Sequence, residues 1–230
     1  MLFLKKNYIV KRNFLHKKLF LDFKNELNLI INKIIKKNKL PISKKSSIDH
    51  KLLSLEEIDH KYISYIYSEI KNSKVIIKFQ KSKYLLLYLR KIFKKKFENH
   101  TKSVRIDLSN NLKWNLNWHQ ETSFNPIEDK DKIFIYLWFP IINSSYEVGG
   151  LDIYSRLTKK AYGYKIIKKK NSQIQKVPTK KINKQDKNIK QIKLNLGDIL
   201  FFDKFLFHRS VVNTSLKAKL SCSLSFKTAI

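Results

Sequence analysis

The sequence predicts an α+β chain in which helices come first and a β-sandwich or jelly roll follows. Apolar residues recur every three to four positions over the first hundred residues, and from about Ser103 that period falls to two. Three of only four glycines (Gly149, Gly150 and Gly197) stand directly before candidate strands, where turns favour positive φ. The 230 residues suit one domain, 1–230, with a helical part over 1–100 and a strand core over 103–227. Hydrophobic residues make up 43% of the chain and aromatic ones 13%, enough for a large core and too many for intrinsic disorder.

Each element has its own signal. Leu15, Leu19, Phe23, Leu27, Ile31 and Ile34 form one apolar stripe with lysines opposite, and Pro41 with the Ser/Lys cluster after it ends that helix. Ser54-Leu55-Glu56-Glu57 reads as a capping box, behind which Ile58, Tyr62, Ile66 and Ile70 repeat every four residues. A third helix is expected over Tyr84 to Phe97. Strands are expected over Val104–Leu108, Ile133–Phe139, Leu151–Tyr154, Ile192–Leu196, Ile199–Phe202, Phe207–Val212 and Leu220–Phe226. The Lys/Asn/Gln-rich segment Lys159 to Lys193 reads as a surface insertion between strands.

Composition excludes several classes. The longest apolar run, Ile133 to Ile142, is interrupted by Pro140 and too short for a bilayer span, and no signal-peptide core follows Met1. A single cysteine, Cys222, rules out an intrachain disulfide and a thiolate-rich metal site, and its place on the apolar face of a strand reads as packing. The expectation is a reduced, cytoplasmic protein. The net charge of +31 suggests nucleic acid, yet only five of the 49 basic residues are arginines, the preferred forks for phosphate and guanine. Residues 1–50 hold 13 basic side chains and 159–193 hold 13 lysines, whereas 101–157 is near neutral with six basic and seven acidic residues. The charge therefore reads mainly as solvated lysine faces flanking a neutral centre.

That neutral centre carries the chemistry. Trp118-His119-Gln120-Glu121 places His119 and Glu121 on one side of an extended chain, with Gln120 facing away. His208 follows 89 residues later, after Gly197-Asp198. Two histidines and one carboxylate form the set that holds one face of an octahedral Fe(II) and leaves the opposite face for a cosubstrate and O₂. Ser210 lies two residues past His208 and points the same way. After the Asn213-Thr214-Ser215 turn, Lys219, Ser221, Ser223 and Ser225 alternate with Leu220, Cys222, Leu224 and Phe226, so the polar face of the strand either lines a cavity or faces water, and the expected neighbourhood of His208 and Ser210 favours the cavity. The remaining histidines, His16, His50, His60 and His100, are read as structural.

Trp118-His119-Gln120-Glu121, Trp138, Glu147-Val148-Gly149-Gly150-Leu151, Gly197-Asp198 and His208-Arg209-Ser210-Val211-Val212-Asn213-Thr214-Ser215 together resemble the phytanoyl-CoA dioxygenase family. The resemblance covers residues 103–227. It implies a double-stranded β-helix, Fe(II) as cofactor, 2-oxoglutarate as cosubstrate, and O₂. By it His119, Glu121 and His208 are the metal ligands, Ser210 and Lys219 hold the distal carboxylate of 2-oxoglutarate, Gln120 matches a position lining that cosubstrate site, and Trp138 matches a substrate-pocket position but reads more as core than as a substrate contact. Glu121 stands where the family more often has aspartate and Lys219 where it usually has arginine, a point charge in place of a fork; Lys217, on the same face, is the competing candidate. The implied function is hydroxylation of an aliphatic C–H bond in a small molecule. The alternatives are a nucleic-acid demethylase with the same iron chemistry and a basic nucleic-acid-binding protein on a decayed dioxygenase scaffold.

Overall fold

The structure is a computed structural model that describes residues 6–109, 116–123, 132–168, 174–178, 182–183 and 185–229. The first element among the described residues is a strand that lacks any periodic signal, β1 (Tyr8–Lys11), and five helices follow: α1 (Lys17–Lys37), α2 (Ile48–Ile58), α3 (His60–Ile70), α4 (Lys74–Gln80) and α5 (Lys83–Phe93). The stripe of α1 is buried as expected, through Phe23, Leu27, Ile31 and Ile34. The capping box at Ser54 is not a helix start: Ser54 lies inside α2, whose N-cap is Ser47, accepting from the His50 N–H. Asp59 ends α2 and caps α3 through the Lys61 N–H. Ser73 and Ser82 cap α4 and α5. The expected third helix stops at Phe93, where Lys94 turns left-handed at φ 55°, and the chain re-enters as a strand at Phe97.

Strands β2 (Phe97–Asp107), β3 (Phe134–Ile142), β8 (Ile199–Asp203) and β10 (Lys219–Thr228) join β1 in a five-stranded antiparallel sheet of order β1-β8-β3-β10-β2. A smaller antiparallel sheet of order β7-β4-β9 holds β4 (Leu151–Tyr154), β7 (Ile189–Ile192) and β9 (His208–Ser210). The segment expected as an insertion between strands is more structured than that: β5 (Tyr164–Lys168) and β6 (Ile174–Pro178) pair as a hairpin, and β7 at its end belongs to the smaller sheet. Residues 169–173, 179–181 and 184 of that segment lie outside the described residues.

Alternation sorts the large sheet into two faces. Ile135, Leu137, Phe139, Phe201, Cys222, Leu224 and Phe226 pack against the helices, while Phe134, Tyr136, Trp138, Leu200 and Phe202 face the smaller sheet with Leu151 and Ile153. Strand β3 is buried on both faces. Its Pro140 has no N–H for the ladder, and the β3–β10 register slips by one residue there, Leu220 pairing with Ile142 but Ser221 with Pro140. No helix among the described residues is long and apolar enough to cross a membrane.

Candidate metal centre

His119, outside both sheets, lies opposite His208 at the start of β9 in the smaller sheet. An isolated antiparallel bridge joins them, each backbone N–H donating to the other's carbonyl at 3.0 Å, so both side chains leave on the same side with ring centroids 4.1 Å apart. Glu121 opens a 3₁₀ turn (Glu121–Ser123), not a further extended residue, and this turn brings its Oε1 to 3.4 Å from His208 Nε2. One donor atom from each of the three residues lies within 4.8 Å of the others.

The rings are oriented from behind. His119 Nδ1 is 2.7 Å from the Asn117 carbonyl and His208 Nδ1 is 3.1 Å from the Leu206 carbonyl. A carbonyl only accepts, so Nδ1 carries the hydrogen in both rings and Nε2 is left as the ligating nitrogen. Burial, with His208 beside it, holds the His119 imidazole well below the ordinary histidine range and therefore neutral, the form a metal needs. Two buried imidazoles and a carboxylate with oriented second nitrogens fit a divalent transition metal in type and number.

The group sits in a cavity of about 240 Å³ between the sheets. Tyr136, Trp138 and Phe202 supply its apolar wall, and Ser210, Lys219, Ser221 and Ser223 its polar wall. The alternation expected for β10 therefore faces this cavity. Lys219 is 3% exposed, donates to the carbonyls of Val211 at 2.9 Å and Gly150 at 3.3 Å, and has the Asp107 carboxylate 3.9 Å away. Desolvation pushes its ammonium pKa down to about 8 against the pull of Asp107. Lys217, the competing candidate, instead pairs with Glu147 on the outside, and this pairing lowers that carboxyl to about 2. Trp138 is both cavity wall and core.

Gln120 is absent from the cavity wall. Its side chain turns away and clamps three backbone groups: Nε2 donates to Phe205 O at 2.7 Å and Lys160 O at 3.1 Å, and Oε1 accepts from Tyr162 N at 2.9 Å. Behind His208, Arg209 is ion-paired to Asp152 of β4 at 2.7 Å and lies over the Trp118 ring, which ties β9 to the stretch bearing His119. Arg105 and Asp107 of β2, not singled out in the sequence, also line the cavity. Their signal was available: Ser103, Arg105 and Asp107 alternate with Val104 and Ile106, which join the helix-side core.

The chain matches no sequence-family model and no curated protein. Solved structures do resemble it. A non-heme monooxygenase, ThoJ in its apo form, superposes with a TM-score of 0.66 at 9% identity, over 98% of this chain and 75% of that one. The epimerase SnoN in complex with Fe3+, alpha ketoglutarate and nogalamycin RO gives 0.60 at 10% identity, over 99% and 81%. EctD from S. alaskensis with bound Fe gives 0.59 at 10% identity, over 98% and 74%. At such identities the likeness is one of fold: helices and antiparallel sheets arranged as in non-heme iron and 2-oxoglutarate-dependent enzymes.

Proposed function

We propose that the chain is an Fe(II)- and 2-oxoglutarate-dependent dioxygenase of the phytanoyl-CoA dioxygenase type, on a double-stranded β-helix, that hydroxylates an aliphatic C–H bond of a small molecule. The observation that carries this reading is the convergence of His119, Glu121 and His208 in a cavity whose lining also includes Lys219 and Ser210. The solved structures of like fold, two with iron and one of those with alpha ketoglutarate, support it. Bound Fe(II) and 2-oxoglutarate would supply oxidative decarboxylation coupled to C–H oxidation by O₂.

The chain's own residues do the rest. His119, Glu121 and His208 hold the ion from one side. Lys219 and the Ser210 hydroxyl take the distal carboxylate of 2-oxoglutarate as point charge and hydrogen-bond donor. The Val211 and Gly150 carbonyls occupy two of the three Lys219 N–H groups and aim the third. Tyr136, Trp138 and Phe202 exclude water, and burial pushes the Tyr136 phenol up, with Glu121 adding to the effect, so it stays a neutral donor.

The test needs no substrate. Fe(II) and 2-oxoglutarate added without oxygen should give the visible charge-transfer band of a chelated complex, and His119→Ala or His208→Ala should lose it while circular dichroism stays native. A folded wild type with no band, or a band that survives either substitution, would overturn the assignment.

A further inference from the structure

Aspartates stand at both ends of β8, and each clasps one end of β1. Ahead of β8, Asp198 accepts from the Arg12 guanidinium at 2.6 Å and from the Asn13 N–H at 3.0 Å. At its far end, Asp203 Oδ2 accepts from Asn7 Nδ2, and the Asp203 N–H donates to the Asn7 carbonyl at 3.0 Å. Asn7 is buried at φ 61°. Its side chain also bridges to Thr158, donating to the carbonyl and accepting from the N–H, each at 2.9 Å. The Arg12 side chain is 52% exposed, so the first clasp ends at the surface. The second leads to the metal centre.

Asp203 opens the turn between β8 and His208. Its Oδ1 accepts from the N–H groups of Phe205 at 2.9 Å and Leu206 at 3.1 Å. A trans peptide is planar, so an N–H held on one side points the preceding carbonyl to the other. The carbonyls aimed in this way are those of Lys204 and Phe205. Lys204 O accepts from the Thr122 N–H, beside Glu121, at 3.4 Å. Phe205 O accepts from Gln120 Nε2, between His119 and Glu121, at 2.7 Å. The next carbonyl, of Leu206, is the one that His208 Nδ1 faces at 3.1 Å. Burial pushes the Asp203 carboxyl up to about 6 despite its donors. Asn or Ser can cap such a turn without desolvating a charge, whereas a carboxylate accepts each hydrogen bond more strongly.

From this geometry we infer that Asn7 and Asp203 are positioning residues of the metal centre: their clasp sets the 203–206 turn, and the turn aims the His208 ring and holds the Gln120–Thr122 stretch that carries Glu121. The strand ahead of the helices, outside the 103–227 segment that bears the ligands, is thereby part of the ligand scaffold. The clasp's bearing on a metal rests on the proposed iron site, whereas its hold on the His208 ring rests on these hydrogen bonds alone. The Arg12–Asp198 clasp anchors the same strand and makes no hydrogen bond to the turn.

Asn7→Ala, Asp203→Ala and Arg12→Ala are compared with wild type in the full chain. Co(II) titration followed by visible absorption reads affinity and coordination. Nitrogen–proton correlation spectra of the metal-free protein read which His208 nitrogen carries hydrogen, with His208→Ala to assign the signals. Each of the three variants removes a clasp on β1 and should lower Tm. Asn7→Ala and Asp203→Ala should also weaken Co(II) binding by ~10–100-fold, alter its visible spectrum, and turn the Nδ1–H form of His208 into a mixture of tautomers. Arg12→Ala should change none of these three. Combining Asp203→Asn with Asn7→Asp exchanges donor and acceptor across the clasp and leaves an oxygen for the two N–H groups of the turn, so this double variant should recover most of the affinity. If wild type binds Co(II), unchanged affinity in either Asn7→Ala or Asp203→Ala, or an equal loss in Arg12→Ala, would overturn the assignment. If wild type takes up no Co(II) while both variants mix the tautomers, the metal reading falls and the turn's hold on His208 stands; unchanged tautomers there would overturn both.

Discussion

At the scale of single residues, Lys219 ties the site to pH. Its folded pKa, pushed down to about 8, lies below that of an unfolded lysine. Between about 8 and 10.4 the unfolded chain holds this proton more tightly, so by linkage the cofactor-free protein gains stability from this group as pH rises through that window. Cosubstrate binding has the opposite dependence, because neutral Lys219 no longer balances a carboxylate. The KM for 2-oxoglutarate should climb about tenfold per pH unit above the pKa, and Lys219→Arg, if folded, should flatten the rise because guanidinium stays charged. A KM independent of pH in wild type would remove Lys219 from the cosubstrate site. Gln120 acts differently, as a positioning residue between two ligands. Gln120→Ala frees the Phe205 turn that leads into His208, and should weaken Fe(II) or Co(II) binding by ~10–100-fold, the range for groups supporting metal ligands. A competitive metal titration reads this directly, and an unchanged affinity would leave Gln120 a purely structural clamp. Both residues show what sequence alone conceals. With 49 basic side chains, a buried cation looks like any other lysine. Lys51 is a second case: 1% exposed, it donates to Asn28, Asn32 and the Lys44 carbonyl, a cage that joins α1, α2 and the segment between them.

Between elements, the close packing of β4 against β7 rests on Gly150. A Cβ there would sit 2.0 Å from the Ile192 carbonyl oxygen, a backbone atom that cannot swing aside. Gly150 is not at positive φ, so close approach is the reason for glycine, whereas Gly149 next to it needs φ 79°. Gly150→Ala should cost about 1–3 kcal/mol, the usual range for overpacking, read as a fall of several degrees in Tm. It should also weaken cosubstrate binding, since the Gly150 carbonyl accepts from Lys219; an unchanged Tm would mean that β7 moves freely. The sequence made glycine's place before β4 visible but not its cause, because the partner carbonyl comes from β7, some forty residues on. The same limit separates the elements that could be read from those that could not. Strands β3, β4, β8 and β10 bury at least one alternating face, so period two exposes them. Strand β1 and the first half of β2 (Phe97 to Ser103) are polar or short and take their structure from β8 and β10, through pairings such as Tyr8 with Phe202 and Glu98 with Lys227. The helix starts were missed at Ser47 for a local reason: no Glu follows at the third position, while Ser54 had one by accident inside α2. The grouping of His119 and Glu121 with His208 was legible because the first two are near neighbours and the last lies at a strand start, although a 3₁₀ turn and not an extended chain brings Glu121 in. The alternation of Ser103, Arg105 and Asp107 with Val104 and Ile106 was equally legible, but the place of β2 at the edge of the sheet was not, since nothing local marks an edge strand.

The charge of the whole molecule sets its response to salt. Eighteen acids cannot neutralise 49 bases, and several ion pairs, such as Lys18–Asp22 and Lys61–Asp59, lie on exposed surface where each contributes little. Self-repulsion among the surplus lysines therefore outweighs surface attraction, and added salt should stabilise the fold instead of loosening it. Raising NaCl from about 20 to about 500 mM shortens the screening length from roughly 20 Å to roughly 4 Å, so Tm should rise by ~2–5 °C; a fall would mean that paired charges dominate. The field that repels the protein's own lysines also draws anions inward. The kcat/KM for the 2-oxoglutarate dianion should then fall with ionic strength, while that for a net-uncharged substrate should hardly move. Nucleic acid would feel the same attraction, and its binding should decline linearly on a log–log plot against salt. The decisive comparison sets these three curves side by side. If duplex or single-stranded nucleic acid dissociates near physiological salt while turnover of 2-oxoglutarate persists, the lysine faces act as a general electrostatic field around a neutral site. If nucleic acid stays bound there and its presence accelerates 2-oxoglutarate decarboxylation, the polymer is the substrate, and the demethylase alternative displaces the small-molecule reading.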